Sequence, residues 1–191
     1  ANGKVWASQL QATLGANTVK ADHSQVTATA AMGEVPTFAL DTGALGGMYA
    51  GKVTLLGTEH GVGVRHAGHL GASAGELVVT IDGRLENTGT VQSTGDTRVT
   101  ARAGVANAGT ISAERELTII TPADVDNRGG QLNARRIETT AQSLRNRGGS
   151  IEQTGGQMLA LDAGTLRNRE GGRLGLPATA QGGTGGGTGG G

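Results

Sequence analysis

The chain has 191 residues, of which 36 are Gly and only three are aromatic: Trp6, Phe38 and Tyr49. It contains no Cys, and its 16 basic and 16 acidic residues leave a formal net charge of zero. The lack of Cys excludes disulfide frameworks, thiolate metal sites and cysteine nucleophiles. The balanced charge argues against bulk attraction to nucleic acid, and no apolar run approaches the ~20 residues that cross a bilayer. We therefore expect neither a nucleic-acid partner nor membrane insertion.

Residues 1–63 contain short apolar alternations in an irregular pattern. The alternation predicts strands at Val5–Leu10, Gln25–Ala30 and Lys52–Leu56, separated by turns rich in Gly, Asn and Asp. The order of basic and apolar residues that marks a signal peptide is missing from the first thirty positions. We interpret the segment as early, less regular coils of the solenoid, a stack of repeated coils, that the sequence from residue 64 onward predicts.

One stretch in this part matches the spacing of a nucleotide-binding loop. Gly46–Lys52 has the spacing G-x4-G-K, but Val53 stands where a Ser or Thr is needed to bind magnesium. A strand follows the motif instead of the required helix. We interpret the match as coincidental and expect no cofactor.

From residue 64 onward the sequence repeats. A phrase of one apolar residue, one variable residue and Asn recurs at intervals of 19 to 22 residues, with His in the first unit. These anchors are His66, Asn87, Asn107, Asn127, Asn146 and Asn168. A second apolar alternation follows about ten residues after each anchor, as in Leu77–Ile81. A period of two predicts short strands with one buried face.

A unit of about 20 residues cannot bury its own apolar face, so successive units must stack. We therefore predict an all-β fold, a right-handed single-stranded parallel β-helix with coils of about 20 residues over 64–175, rising about 4.8 Å per coil. The anchor side chains should point inward and form a ladder that satisfies buried backbone groups. The Gly after each anchor is expected to supply a positive φ at a corner. Residues 176–191 lose the pattern, and their Gly/Thr composition predicts a flexible tail or linker.

Groups that could carry catalysis or metal binding are sparse. His60, His66 and His69 with Glu59 form the only cluster of metal-ligand types, and its spacing matches no known metal motif. The acidic residues are scattered among the coils, and the aromatic residues are too few for a sugar-stacking cleft. We expect no catalytic residue and no metal, and a carbohydrate-acting β-helix enzyme stays as a minor alternative.

Arginine is concentrated beside the later anchors. Residues that flank an inward Asn point outward, so these arginines should form columns with about 5 Å between coils. They are Arg128, Arg145, Arg147, Arg167 and Arg169. One interpretation is a strip for sulphated glycans or other polyanions, because Arg binds such groups bidentately. The other is a solvated face balanced by carboxylates such as Asp126, Glu152 and Glu170.

Two segments resemble a known family. Ala39–Val53 (ALDTGALGGMYAGKV) and Gly57–Val64 (GTEHGVGV) resemble the end of the secretion domain of filamentous haemagglutinins. These are large exoproteins of two-partner secretion in Gram-negative bacteria. The repeats resemble the haemagglutinin repeats that follow that domain. The resemblance implies that 1–63 is the C-terminal part of the secretion domain and 64–175 a run of haemagglutinin-type repeats.

The resemblance also implies a location and a function. It implies a secreted protein at the bacterial cell surface, a non-enzymatic filamentous adhesin whose β-helix is a rigid stalk. The implied partners are the outer-membrane pore of the two-partner system and host glycans or cell-surface receptors. The absence of Cys suits a chain that is threaded unfolded through a pore. The alternative is the stalk of a contact-dependent growth inhibition toxin, since related exoproteins use the same stalk to carry a toxin.

Overall fold

The computed structural model describes residues 3–29, 33–34, 36–43 and 45–176. Within these ranges the chain forms twenty β-strands and no helix. The first ten are β1 (Lys4–Leu14), β2 (Asn17–Val19), β3 (Val26–Ala28), β4 (Phe38–Thr42), β5 (Gly47–Gly57), β6 (Gly63–His66), β7 (His69–Ala72), β8 (Leu77–Ile81), β9 (Leu85–Asn87) and β10 (Thr90–Ser93). The others are β11 (Thr97–Ala101), β12 (Val105–Asn107), β13 (Thr110–Ala113), β14 (Glu116–Ile120), β15 (Asp124–Asp126), β16 (Gln131–Ala134), β17 (Arg136–Arg147), β18 (Ser150–Gln153), β19 (Ala160–Arg169) and β20 (Arg173–Gly175).

Eighteen of the strands wind into one β-solenoid of about seven turns. Inside the solenoid a strand pairs in parallel with the equivalent strand of the coil before and of the coil after, as β10 does with β7 and β13. Residues one repeat apart in the sequence lie opposite each other in neighbouring coils, as Val91 and Ile111 do. The prediction of an all-β parallel β-helix is confirmed.

The interior of the solenoid consists of columns of apolar side chains, one from each coil. One buried column contains Leu70, Val91, Ile111, Leu132 and Ile151. The second alternation of each unit builds another column, in which Val79, Val99 and Ile119 are buried. Burying such a side chain contributes about 1.5–3 kcal/mol. A low apolar content therefore suffices, because every coil places its few apolar residues at the same inward positions.

Three strands within the first 63 residues, β1, β4 and β5, also belong to the solenoid. β1 pairs in parallel with β5, and β4 pairs in parallel with β6. The structure differs from the expectation of coils at one place, because β2 and β3 form a separate antiparallel pair. Only residues 20–25 connect the two strands, and a parallel connection needs a dozen or more residues. The connection is a tight turn in which the His23 N–H donates to the Lys20 carbonyl at 2.8 Å.

The predicted strand limits agree with the structure to different degrees. The strands predicted at Val5–Leu10 and Lys52–Leu56 lie inside β1 and β5. The strand predicted at Gln25–Ala30 is reduced to the three residues of β3, and Ala30 lies outside the described residues. Of the predicted tail, 177–191 also lies outside them. Across the described ranges, no helical segment has the length and apolar character of a membrane span.

The glycines that follow the anchors serve two different purposes. Gly129 and Gly148 have φ values of 69° and 63°, as expected at a corner. Gly89 and Gly109 do not have a positive φ. A Cβ on Gly109 would lie 2.1 Å from the carbonyl oxygen of Gly89 in the coil before. At these corners Gly is required because two backbones approach closely, so the expectation of a positive φ is wrong there.

Candidate functional site

The anchor asparagines form a continuous ladder along one corner of the solenoid. Each Nδ2 donates to the Oδ1 of the next anchor at 2.8 Å, from Asn87 through Asn107, Asn127 and Asn146 to Asn168. The first four side chains are at most 1% exposed, whereas Asn168 is exposed. We call these five residues the asparagine ladder. All four hydrogen bonds between side-chain amides point in the same direction, an arrangement in which neighbouring hydrogen bonds polarise one another.

The amides of Asn87, Asn107, Asn127 and Asn146 also bind the backbone of a neighbouring coil. Asn87 Nδ2 lies 3.1 Å from the Thr110 carbonyl oxygen, and Asn127 Nδ2 lies 3.1 Å from that of Ser150. Asn127 Nδ2 also contacts the carbonyl oxygen of Gly130 in its own corner at 3.1 Å. The ladder therefore supplies side-chain donors to corner carbonyls, as at Gly130, whose oxygen also accepts the Ser150 N–H at 2.9 Å.

His66 lies in the first coil of the repeat region, and its side chain, like that of Asn87, contacts a backbone carbonyl of the next coil. Its Nε2 is 3.2 Å from the Thr90 carbonyl oxygen, and its Nδ1 is 2.6 Å from Thr42 Oγ1. Because a carbonyl can only accept, the neutral ring donates through Nε2 and accepts the Thr42 hydroxyl through Nδ1. The residue is 2% exposed. Burial lowers the pKa of His66 below its ordinary value of 6.5.

We expect acid to destabilise the fold through His66. The folded-state pKa is lowered, so below about pH 6.5 the unfolded chain takes up a proton that the folded chain excludes. The stability that the neutral ring provides is complete above that pH and is lost as the pH falls. His66→Asn should therefore reduce the difference in the free energy of unfolding between about pH 8 and about pH 5, measured by urea denaturation. His60→Asn is the matched control, and equal effects of the two substitutions would contradict the prediction.

The structure separates the three histidines of the predicted cluster. His60 is exposed and lies 3.1 Å from Asp82 Oδ1, His66 is buried, and His69 stacks on Tyr49 with ring centroids 5.1 Å apart. Among the residues that the structure describes, no group of three or more His, Cys, Asp or Glu could hold a metal ion. Most of the nucleotide-loop match, from Gly47 to Lys52, lies in the extended strand β5.

The arginines beside the ladder, named here the arginine strip, are Arg128, Arg145, Arg147, Arg167 and Arg169. Two pairs of them are in register between neighbouring coils, Arg145 with Arg167 and Arg147 with Arg169. Three members have carboxylate partners. Arg128 contacts Asp126 at 2.9 Å, Arg145 contacts Asp124 at 2.9 Å, and Arg147 pairs with Glu170. The hydrogen bond from Arg147 lowers the pKa of the Glu170 carboxyl.

Arg167 and Arg169 differ from the other three arginines. Neither forms an ion pair with any residue that the structure describes. Both line a recess of about 250 Å³ on this face, as do the other three arginines and the carboxylates Asp126 and Glu170. Polyanion binding stays a proposal for this pair. Replacing both by Ser should shorten retention on heparin at low salt more than Arg115→Ser, which removes an arginine paired with Asp96.

A stack of three rings on the outer face was not predicted from the sequence. Trp6 and Tyr49 stack with centroids 4.3 Å apart and planes inclined by 14°, and His69 stacks on the other side of Tyr49. We call Trp6, Tyr49 and His69 the aromatic stack. The pairing of β1 with β5 sets Trp6 opposite Tyr49, a separation of 43 residues that does not follow the repeat.

Comparison with known proteins gives three curated relatives of particular interest. Toxin CdiA of Yersinia pestis is 47% identical over 104 residues, 54% of this chain and 3% of that protein. The tRNA nuclease CdiA-2 of Burkholderia pseudomallei is 43% identical over 88 residues, 46% of this chain and 3% of that protein. The tRNA nuclease CdiA of Escherichia coli is 36% identical over 159 residues, 83% of this chain and 5% of that protein. The chain thus spans about 3 to 5% of the length of these relatives. Neither a protein-family model nor a solved structure matches the chain.

These relatives correct three expectations. The expected function, a non-enzymatic adhesin stalk, is wrong, because the relatives are named as a toxin and as tRNA nucleases. The expectations of no enzyme and of no nucleic-acid partner are wrong for the same reason, since a tRNA nuclease is an enzyme that acts on RNA. None of the three is named a filamentous haemagglutinin. Their similarity supports the wider resemblance, to exoproteins of two-partner secretion.

Proposed function

We propose that the chain is the β-helical stalk segment of a secreted toxin exoprotein of contact-dependent growth inhibition. The observation that carries this proposal is the similarity of 159 residues, 83% of the chain, to the tRNA nuclease CdiA of Escherichia coli. In this proposal the full-length protein is a nuclease that acts on RNA and is exported by two-partner secretion to the cell surface. Residues 1–63 end the secretion domain, and 64–175 begin the stalk.

The geometry suits a spacer in such a protein. Each coil contacts only its neighbours, so the segment is a rod whose length grows with the number of repeats. At about 4.8 Å per coil, the five intervals from residue 66 to 168 give roughly 24 Å. The asparagine ladder and the apolar columns join every coil to the next. A chain without Cys can cross a pore unfolded and then add coils one at a time.

The proposal can be tested with a chimera. The matching segment of the Escherichia coli relative would be replaced by this chain, and donor cells that make the chimera would be grown with target cells. We expect the chimera to reach the donor surface, to stop growth of the target cells and to leave their tRNA cleaved. A matched chimera carrying Gly109→Val, which prevents the coils from stacking, should do none of these.

Two results would contradict the proposal. One is a chimera that does not reach the surface although the unaltered relative does. The other is a chimera that is displayed in normal amounts while the target cells grow and keep intact tRNA. Surface amount is measured with an antibody on whole cells, and tRNA integrity is measured on a denaturing gel.

A further inference from the structure

The recess beside the asparagine ladder has a lining made of charged side chains. It has a volume of about 250 Å³ and is lined by the five arginines of the arginine strip and by two carboxylates, Asp126 and Glu170. Five positive and two negative charges leave a surplus of three positive charges in the lining. We call this site the arginine recess. Neither the stacking of the coils nor the function of a stalk requires such a concentration of like charge.

The pairing of the strands brings these positive charges close together. Arg167 and Arg169 flank Asn168 in β19, so their side chains leave the same face of the strand, with Cα atoms about 6.5 Å apart. Arg145 and Arg147 lie in register with them in the coil before, about 4.8 Å away. Like charges at these distances repel each other. An anion bound between them would remove this repulsion.

Two of the positive charges are not compensated by the chain. Three of the five arginines of the strip have carboxylate partners, whereas Arg167 and Arg169 form no ion pair with any residue that the structure describes. Residues 171–191 contain no Asp or Glu that could supply one. The recess therefore has room for a ligand with two negative charges.

Glu170, at the edge of the recess, has a backbone conformation that non-Gly residues rarely adopt. Its φ is 53°, in the left-handed region. Gly129 and Gly148 stand two residues after their anchors, as Glu170 does, and have φ values of 69° and 63°. This corner therefore favours Gly, and Glu is strained there. Strain of this kind is concentrated at functional sites, which makes the Glu170 side chain a candidate for a role in the recess.

The Glu170 carboxylate already occupies the recess as an anion. It pairs with Arg147, and the hydrogen bond from Arg147 lowers its pKa, with the charges of Arg128 and Arg169 acting in the same direction. The side chains of Glu170 and Arg147 are both more than half exposed. An anion from solution can therefore reach Arg147 and compete with the carboxylate.

We propose that the arginine recess binds the phosphate group of a phosphomonoester, which bridges Arg167 and Arg169 and displaces the Glu170 carboxylate from Arg147. A phosphomonoester carries a charge of about −1.5 to −2 at pH 7, which matches the two uncompensated arginines. A guanidinium group donates two parallel N–H···O bonds to phosphate, so one phosphate between two such groups holds their central carbons about 8 Å apart. Cα atoms about 6.5 Å apart allow both side chains to reach it.

This site differs from a polyanion strip, because it needs one doubly charged group and not a long charged polymer. It adds a small-molecule ligand to the segment, and it does not depend on the segment being part of a toxin. Phosphomonoesters occur both on soluble molecules and on lipid head groups, so the test includes both sources.

The test is a ³¹P NMR titration of the whole chain at low ionic strength. Glycerol 3-phosphate and inorganic phosphate should give saturable shifts with a Kd on the order of millimolar. Dimethyl phosphate, which has one negative charge, should bind at least about tenfold more weakly, about 1.4 kcal/mol. Replacing both Arg167 and Arg169 by Ser should weaken binding of glycerol 3-phosphate at least about tenfold. Arg115→Ser is the matched control, since Arg115 pairs with Asp96 outside the recess.

Vesicles distinguish the two sources of the phosphomonoester. Phosphatidylcholine vesicles with and without phosphatidic acid would be sedimented with the parent chain and with the double Ser variant. Cosedimentation that requires both phosphatidic acid and the two arginines assigns the site to a lipid head group. Binding of glycerol 3-phosphate without such cosedimentation assigns it to a soluble ester.

Two substitutions of Glu170 test its part in the site. Glu170→Gln and Glu170→Gly both remove the competing carboxylate, so both should bind glycerol 3-phosphate about fivefold more tightly than the parent chain. Only Glu170→Gly also relieves the strained φ, so it should unfold at a higher urea concentration than Glu170→Gln. Asp96→Asn, which removes a carboxylate paired with Arg115, should leave the affinity unchanged. The proposal fails if no phosphate probe binds, if the double Ser variant binds as well as the parent chain, or if removal of the Glu170 carboxylate weakens binding.

Discussion

Asn127→Ala should lower the free energy of unfolding by about 3–5 kcal/mol. Asn127 has no exposed surface and lies in the middle of the asparagine ladder. Its Nδ2 donates to Asn146 Oδ1 at 2.8 Å and to the carbonyl oxygens of Gly130 and Ser150 at 3.1 Å. Its Oδ1 accepts from Asn107 at 2.8 Å. Ala would leave buried polar groups in three coils without this partner, and each unsatisfied group costs about 1–3 kcal/mol.

The matched control is Asn168→Ala, at the exposed end of the ladder. Asn168 accepts from Asn146 at 2.8 Å, but water can replace a partner at an exposed position. We expect this substitution to cost less than about 1 kcal/mol. Both losses are to be measured by urea denaturation followed by circular dichroism. Equal losses would show that the ladder contributes no more in the interior than at its exposed end.

The fold could be predicted because each side chain makes its main contacts with a residue at a nearly constant separation along the sequence. In a solenoid a side chain packs against the equivalent side chain of the next coil, so Val91 and Ile111 carry the same signal 20 residues apart. The antiparallel pair β2–β3 breaks this rule. It depends on a single local turn at 20–25, which no later unit repeats.

The candidate sites were predicted less completely than the fold. The sequence shows which residues flank each anchor. It does not show their ion pairs, because these depend on side-chain rotamers, as in the pair of Arg128 with Asp126 two residues before it. The aromatic stack joins side chains that no repeat relates, and Tyr49 reaches His69 by leaning across Gly47.

The function of the whole protein could not be predicted from the repeat. A β-helical stalk presents the same columns and corners whether the full-length protein is an adhesin or a toxin. The repeat residues are those that the stacking of coils requires, and an adhesin stalk and a toxin stalk stack their coils in the same way. The sequence similarity to proteins named as a toxin and a tRNA nuclease contradicts the adhesin interpretation and supports the proposed one.

Gly109→Ala is the second substitution for which we expect a large effect, a loss of about 3 kcal/mol in the free energy of unfolding. Its Cβ would lie 2.1 Å from the Gly89 carbonyl oxygen and 2.7 Å from the Thr88 carbonyl carbon. These are backbone atoms that cannot move alone, since the Gly89 oxygen accepts the Thr110 N–H at 2.9 Å. Relief of the contact must separate two coils and weaken the pairing on both sides of the corner.

Gly129→Ala separates this crowding from backbone conformation. Gly129 has a φ of 69°, and a Cβ there would meet no atom within 4 Å. The substitution should cost only the conformational penalty, about 1–2 kcal/mol. If thermal and urea unfolding give Gly129→Ala the larger loss, close approach of the coils is not what requires Gly at these corners. If Gly109→Ala has the larger loss, the close approach of the coils is what requires Gly at Gly89 and Gly109, where a Cβ would lie 2.1 Å from a backbone oxygen.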